Sequence, residues 1–310
     1  MKKLSRRTFL TGTAAAGAIT LLARRASAEA AAPAASQAVA PAAGQAVAPA
    51  AGPAVAPAAG DDDVPRVDYH VHLDVLGIDK AVEVSKAKGV KFGIVEHAGT
   101  KENKYPVVLS NDEELKKYIA MLEGKPVFKG VQAECIDWMT VFSKDAVAQL
   151  DYVLSDALTF VEKDGSRVEL WKKEKVHVTD KQDFMERYTD FNVRKISEPI
   201  DILANPTYLP AVLQPEFDAL WTPERMRRVI DAAVKYHVAI EISSSFRLPR
   251  LAFLKMAKEA GVKFSFGSNG RRDTDVGKLD YCLEMVKALG LKRGDIFTPA
   301  PAGRKPIQVR

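Results

Sequence analysis

The stretch VDYHVH, residues 67–72, ends a run of β-forming residues with two histidines. In a β-strand, side chains two residues apart point to the same side, so the spacing predicts that His70 and His72 reach one point. Two such imidazoles often supply two of the ligands of a metal ion. Alternatively, they can form hydrogen bonds with neighbouring carboxylates. Functional groups of parallel α/β barrels lie at the C-terminal ends of the strands. The position of these histidines therefore favours the metal.

Further β-rich runs follow this first one, and helical patterns separate them. This alternation is typical of a parallel α/β fold, and seven repeats indicate one closed barrel rather than two domains. We predict an α/β fold with a single distorted (β/α)7 TIM-like barrel. The predicted strands are Val67–His72, Phe92–His97, Val127–Glu134, Tyr152–Ser155, Ile202–Asn205, Val238–Ile242 and Lys263–Gly267.

Several local signals mark the boundaries of helices and turns. Asn111 belongs to a capping box before an amphipathic helix, and Thr222 precedes a proline at a first helical position. Asp164 and the glycine that follows it predict a β-hairpin after the fourth strand. Glycines are predicted to end helices in the left-handed conformation at Gly89, Gly261 and Gly290.

The second and third predicted strands also end in polar residues. Glu96 and His97 end the second, and on the third the two-residue period places Gln132 and Glu134 on one side. We predict that His70, His72 and at least one of His97 and Glu134 bind a metal. The alternative for Glu134 is an ion pair with a lysine at the same end of the barrel.

These segments together resemble the polymerase and histidinol phosphatase (PHP) family of metallohydrolases. The resemblance covers residues 64–297 and implies a seven-strand distorted barrel that hydrolyses phosphoesters with two or three metal ions. Its landmarks are Asp68-Tyr69-His70-Val71-His72, Glu96-His97, Gly130-Val131-Gln132-Ala133-Glu134, Asp151-Tyr152-Val153, Ala204-Asn205-Pro206, Ile240-Glu241-Ile242 and Phe266-Gly267-Ser268-Asn269.

The sequence departs from the PHP pattern at several ligand positions. Gln132 stands where the family usually has glutamate, Leu158 and Asn205 stand at histidine positions, and Asn269 and Arg271 replace an aspartate and a histidine. Each change removes a strong or anionic ligand, and Arg271 adds a cation. The resemblance therefore implies a reduced site that holds one ion.

The remaining residues imply a divalent ion, which can be zinc, manganese or iron. Its ligands would be His70, His72, Glu134 and, as a weak oxygen ligand, Asn269, with His97 or Glu96 beside its bound water as catalytic residues.

Polar residues after other strand ends are candidates for binding a small polar substrate. Lys101, Arg247 and Arg271 can clamp a phosphate or carboxylate group, and Asn205 lies at another strand end. The alternative for each charged side chain is a solvated surface position.

The first 63 residues predict an exported protein. Arg6 and Arg7 precede a short apolar run, which resembles a twin-arginine signal peptide covering residues 1–28. Residues 29–63, rich in alanine and proline, predict a disordered linker. The barrel is predicted over residues 64–310. The expected location is periplasmic or otherwise exported, with the twin-arginine export machinery as a partner.

Charge and hydropathy exclude some classes of partner. Six of the 45 basic residues, and none of the 40 acidic ones, lie in residues 1–28, so the remainder holds 39 basic and 40 acidic residues. This balance argues against nucleic acid as a partner. The apolar run after Arg7 is too short for a permanent membrane span.

Three functions compete. The first is an exported metal-dependent hydrolase, phosphoesterase-like, that acts on a small polar substrate through one metal ion. The second is a non-catalytic ligand-binding protein on a PHP barrel that has lost its ligands. The third is an amidohydrolase, but the metal-bridging lysine and two later histidines that this family needs are not at the candidate positions.

Overall fold

The computed structural model describes residues 64–100, 105–134 and 138–300. Mostly parallel strands dominate this part of the chain, and helices separate most of them. The strands are β1 (Val67–Val71), β2 (Lys91–Ile94), β3 (His97–Ala98), β4 (Val108–Leu109), β5 (Phe128–Ala133), β6 (Tyr152–Asp156), β7 (Thr159–Val161), β8 (Arg167–Glu169), β9 (Ile202–Ala204), β10 (Ala239–Ser243) and β11 (Phe264–Gly267).

Seven of these strands form the barrel, in the order β1, β2, β5, β6, β9, β10, β11. Every neighbouring pair is parallel. The ring closes where Val71, at the end of β1, forms a bridge with Gly270, just after β11. Gly270 donates its N–H to the carbonyl oxygen of His70 and accepts the N–H of His72. The predicted (β/α)7 TIM-like barrel is confirmed.

The predicted second strand is interrupted. β2 ends at Ile94 and β3 begins at His97, and both pair with β5 in the same register. On the other side the partner changes, because β2 pairs with β1 and β3 pairs with β4. Val95 donates its N–H to the carbonyl oxygen of Val71 in β1, whereas the carbonyl oxygen of Glu96 accepts from Gln132 in β5. The change of partner places Glu96 and His97 in different surroundings.

Helices cover the outside of the barrel and begin or end at the predicted signals. Asn111 and Thr222 each accept a backbone N–H from the first turn of the following helix. Gly89 and Gly290 end helices in the left-handed conformation. The helices are α1 (Ile78–Lys88), α2 (Asp112–Leu122), α3 (Lys144–Val147), α4 (Lys181–Ser197), α5 (Phe217–Leu220), α6 (Pro223–Tyr236), α7 (Leu251–Glu259) and α8 (Asp280–Leu289).

Two hydrophobic clusters stabilise the barrel strands and the helices around them. The larger one joins the strands to the buried sides of the helices. The smaller one takes its buried side chains from the strands and the link between β2 and β3, including Tyr69, Tyr152 and Ile202, and so fills the inside of the barrel. The Tyr152 hydroxyl donates to the carbonyl oxygen of Tyr69. An added Cβ at Gly93 or Gly130 would lie 2.4 Å from this tyrosine, so both glycines make room for it.

The sequence also led to predictions about the hairpin, the N-terminal segments and membrane-spanning helices. The hairpin is confirmed, because β7 pairs antiparallel with β8. The signal peptide of residues 1–28, the linker of residues 29–63 and Lys101 lie outside the described residues. In the part of the chain that is described, every helix is too short or too polar to cross a lipid bilayer.

Candidate active site at the C-terminal rim of the barrel

A cavity of about 420 Å³ opens at the C-terminal ends of the barrel strands, and we call it the rim cavity. Its size lies within the range of small-molecule sites. Polar groups from four segments share it with three aromatic rings. Its lining residues are His97, Tyr105, Gln132, Glu134, Asp156, Leu158, Thr159, Trp171, Phe246, Asn269 and Arg271.

His70, at the base of this site, uses both ring nitrogens. Its Nδ1 lies 2.7 Å from Oε2 of Glu241, and its Nε2 lies 3.0 Å from Oε1 of Gln132. Burial alone would lower the pKa of His70, but the Glu241 carboxylate overcomes this and raises it to about 9. At neutral pH His70 is therefore a doubly protonated imidazolium that donates to both oxygens. It presents no free nitrogen to a metal ion.

Among the described residues, neither ring nitrogen of His72 has a hydrogen-bond partner, although both nitrogens are buried. Its ring centroid lies 5.3 Å from that of His70 and 5.0 Å from that of His97. Burial, followed by electrostatic interactions with His97 and His70, holds the pKa of His72 well below its usual range. His72 is a neutral imidazole with two nitrogen atoms available to a ligand.

The polar side chains of the rim form one continuous hydrogen-bond network. His97 Nδ1 and Gln132 Nε2 both contact Oε1 of Glu134, at 2.7 and 3.1 Å. Arg271 lies 3.4 Å from His97 Nε2 and also pairs with Asp74. Because arginine only donates, His97 Nε2 accepts and its Nδ1 carries the proton. The network fixes the amide of Gln132, which accepts from His70 and donates to Glu134.

Two neighbouring carboxyl groups in the rim cavity have opposite pKa shifts. Ala133 pairs in register with Ser155, so Glu134 and Asp156 stand side by side on adjacent strands. Burial raises the pKa of Asp156 to about 6. Burial would also raise the pKa of Glu134, but the hydrogen bond from His97 leads the opposing effects, which lower it. At a pH between these two pKa values, Glu134 is ionised and Asp156 is protonated.

The predicted substrate-binding residues are not all in this cavity. Arg271 lines it, whereas the exposed Arg247 pairs with Glu284 on α8. Asn205 is fully buried, and its Nδ2 donates to Asp156 Oδ2 at 3.1 Å. Asn205 therefore orients Asp156 instead of facing the cavity.

The structure also separates the predicted catalytic pair. His97 lines the rim cavity, but Glu96 does not. Glu96 Oε1 accepts the N–H of Leu73 at 2.7 Å, and its Oε2 is buried with no partner. Burial, together with the nearby charge of Asp74, raises the pKa of Glu96 to about 7. Successive residues face opposite ways here, so His97 faces the rim cavity and Glu96 does not.

Two of the predicted metal ligands already make hydrogen bonds in this arrangement. His70 donates from both nitrogens, and Glu134 accepts from His97 and Gln132. Over residues 64–100, 105–134 and 138–300, no group of three or more His, Cys, Asp or Glu side chains is placed to hold a metal ion. Of the expected ligands, His70 and Glu134 are engaged in hydrogen bonds, whereas the ring nitrogens of His72 have no partner among the described residues.

Sequence reasoning gave too little weight to three contributors to the site. Asp156 ends β6 at the rim, and its place at a strand end was the available signal. Glu241 lies mid-strand in β10 within one of the PHP landmarks, but it is 171 residues from His70, so no local pattern identifies it as the partner of that histidine. Tyr105 stacks on His97 with ring centroids 3.6 Å apart and lies between short elements, where the sequence carries no periodic signal.

No protein-family model matches this chain, and no curated protein matches it. Solved structures show only distant likeness. A chain of archaeal ribonuclease P with mature tRNA is 13% identical, with a TM-score of 0.33, over 77% of this chain and 98% of that one. A β-mannanase from Streptomyces thermolilacinus is 16% identical, with a TM-score of 0.36, over 75% and 78%.

An HpcH/HpaI aldolase from Desulfitobacterium hafniense is 14% identical, with a TM-score of 0.31, over 77% of this chain and 96% of that one. These scores are too low to carry an argument about function. The assignment of the fold therefore rests on the strand order and on the closure between β1 and β11.

Proposed function

We propose that this protein hydrolyses a small polar substrate in the rim cavity by general acid–base catalysis. The observation that carries the proposal is the neighbouring pair of Asp156 and Glu134, whose pKa values are shifted in opposite directions. Pairs of titratable groups that are separated in this way commonly divide the roles of acid and base. Asp156 is the acid and Glu134 is the base.

The reaction uses both groups once. Asp156 donates its proton to the leaving oxygen as the bond between that oxygen and the attacked atom breaks. A water molecule forms the new bond to the attacked atom and gives a proton to Glu134. Both hydrogen bonds that the described residues donate to Glu134 end on Oε1, which leaves Oε2 for the water. Exchange with solvent then returns both groups to their starting states.

The charges and rings of the cavity favour an uncharged substrate. An anionic phosphoester would meet the ionised Glu134, while Arg271 is already paired with Asp74. Tyr105, Trp171 and Phe246 supply aromatic surface beside the polar groups, a combination that suits the faces of a sugar or an ester. A glycosidic or carboxylic ester bond is therefore the proposed target, ahead of the phosphoester implied by the PHP resemblance.

The test measures turnover of three kinds of chromogenic substrate by the protein lacking residues 1–28. They are p-nitrophenyl glycosides, p-nitrophenyl esters of carboxylic acids and p-nitrophenyl phosphate. We expect turnover of a glycoside or ester, with an optimum between about pH 4.5 and 6 because Glu134 must be ionised and Asp156 protonated. Asp156→Asn and Glu134→Gln should each lower kcat by about 100-fold or more. Glu259→Gln, an exposed change on α7, is the matched control.

Two results would contradict the proposal. One is turnover that survives in both carboxylate variants. The other is stabilisation by these compounds without any turnover, which would support the non-catalytic ligand-binding protein.

The metal ion expected from the PHP resemblance stays a second proposal, and the unpartnered His72 is the observation in its favour. Elemental analysis of the purified protein should find at most one divalent ion per chain. His72→Ala should remove that ion, whereas His237→Ala, on the exposed end of α6, should retain it. Two or more ions per chain would contradict the reduced site.

A further inference from the structure

A second cavity, of about 680 Å³, lies beside the barrel between the start of α1, β4 and α2, and we call it the side cavity. Most of its wall is apolar and includes Leu73, Ile78, Leu109 and Met121. Its lining residues and those of the rim cavity do not overlap. The side cavity is therefore a separate candidate site.

Two buried carboxylates line this largely apolar cavity, whose wall also includes Glu114, Lys117 and Tyr118. Glu96 is 2% exposed, and the Asp74 side chain is 5% exposed. Each uses only one oxygen for a contact: Glu96 Oε1 accepts from Leu73, and Asp74 Oδ2 pairs with Arg271. The other two oxygens, Glu96 Oε2 and Asp74 Oδ1, are buried without a partner in the described part of the chain.

Such oxygens are costly to bury. A polar atom removed from water without a hydrogen bond destabilises a protein, and a charged atom does so more strongly. The lysine at the wall, Lys117, does not relieve this cost, because it pairs with the exposed Glu113. Two unpartnered carboxylate oxygens in one apolar cavity are what a cationic ligand with an apolar body would satisfy.

We propose that the side cavity binds a small organic amine, with its ammonium group between Glu96 and Asp74 and its apolar substituent against Leu109 and Met121. A primary ammonium has three donors, enough for both free oxygens. The apolar walls offer few of the six to eight oxygen ligands that a bare calcium ion would need, so the cavity suits an organic cation better. Glu96 then acts in ligand binding rather than in rim catalysis.

The experiment measures binding of 2-phenylethylamine by calorimetry at pH 8 to the protein lacking residues 1–28. Two probes of similar shape, 2-phenylethanol and 3-phenylpropionate, replace the cation with a neutral and an anionic group. We expect the amine to bind at least tenfold more tightly than the alcohol and the acid not to bind. Glu96→Gln should weaken binding of the amine at least tenfold, whereas Glu83→Gln, an exposed carboxylate on α1 that pairs with Lys80, should leave it unchanged.

A second variant protects the test against misfolding of Glu96→Gln. Val108→Phe adds volume at the half-buried wall and leaves both carboxylates in place, so it should reduce binding of the amine by excluding its apolar part. Equal affinity for amine and alcohol would overturn the proposal. The proposal would also be overturned if the unmodified protein did not bind the amine. The same holds if the Glu96→Gln and Val108→Phe proteins both bound the amine as tightly as the unmodified protein does.

Discussion

His70 and Glu241 form a buried ion pair that makes stability depend on pH. The pKa of His70 is raised to about 9 in the folded protein, above its usual 6.5. A group with a raised folded-state pKa stabilises the protein fully below its unfolded value and loses that contribution as the pH rises through its folded value. The contribution is therefore complete below about pH 6.5 and is lost as the pH rises through about 9.

The measurement is the free energy of unfolding in urea at pH 7.5 and pH 9. We expect a decline of about 1 kcal/mol or more, because one pKa unit corresponds to about 1.4 kcal/mol. Glu241→Gln removes the carboxylate that raises the pKa, so this variant should show a flatter profile over the same interval. A wild-type profile as flat as that of the variant would contradict the charged pair.

The two-residue period predicted some of these orientations and could not predict others. It placed Gln132 and Glu134 on one side, and both line the rim cavity. It also placed His70 and His72 together, and their ring centroids lie 5.3 Å apart. The partner of His70 depends on how β10 is seated across the barrel from β1, and the sequence of either strand alone carries no record of that register.

At the scale of helices and strands, capping residues were the most informative signals. Asn111 and Thr222 cap α2 and α6 as predicted. The interruption of the second strand was not predicted, because Val95 and Glu96 carry no local signal that distinguishes a segment next to β1 from one next to β4.

The end of α6 contains a residue in an unfavourable backbone conformation. His237 ends this helix with φ 57°, in the left-handed region that suits glycine. Its side chain is exposed. His237→Gly should therefore stabilise the protein by about 0.5–1 kcal/mol, since glycine adopts this conformation without strain from a Cβ.

Thermal and urea unfolding measure this change, with His237→Ala as the control that keeps a Cβ. A stabilisation by alanine equal to that by glycine would show that the removal of the imidazole, and not the backbone, is responsible. Unchanged stability in both variants would contradict the strain argument.

For the whole molecule, one closed ring of strands predicts one cooperative unit. The reactivity of Cys282, on α8, can be used to measure the opening of this unit. Its side chain is fully buried, and its Sγ lies 3.0 Å from the carbonyl oxygen of Ile242. Burial raises the pKa of the Cys282 thiol to about 12. In a Cys135→Ser background, we expect a thiol reagent to label Cys282 only at the rate of global unfolding.

Labelling of native protein in different urea concentrations tests this expectation. The free energy of the opening that exposes Cys282 should fall with urea as steeply as that of global unfolding. A shallower dependence would show that α8 opens separately from the barrel.

The alternation of strands and helices was enough to predict the barrel and the rim at which its polar residues meet. It was not enough to predict which of those residues contact one another. The placement of Asn205 behind Asp156, and of Arg271 against Asp74, depends on how loops after distant strands pack together. Such packing follows from the complete fold rather than from any one segment.

The bridge between Val71 and Gly270 sets the order of events when the chain is made. Asp68 on β1 and Ser268 after β11, which also bond there, are 200 residues apart. At about 5–20 residues per second, a ribosome takes roughly 10–40 seconds to make that interval. During this time the outer edge of the first strand has no final partner, and an unpaired edge invites association with other chains. Protection of the nascent first strand, by a chaperone or by transient pairing, is thus a requirement of this closure.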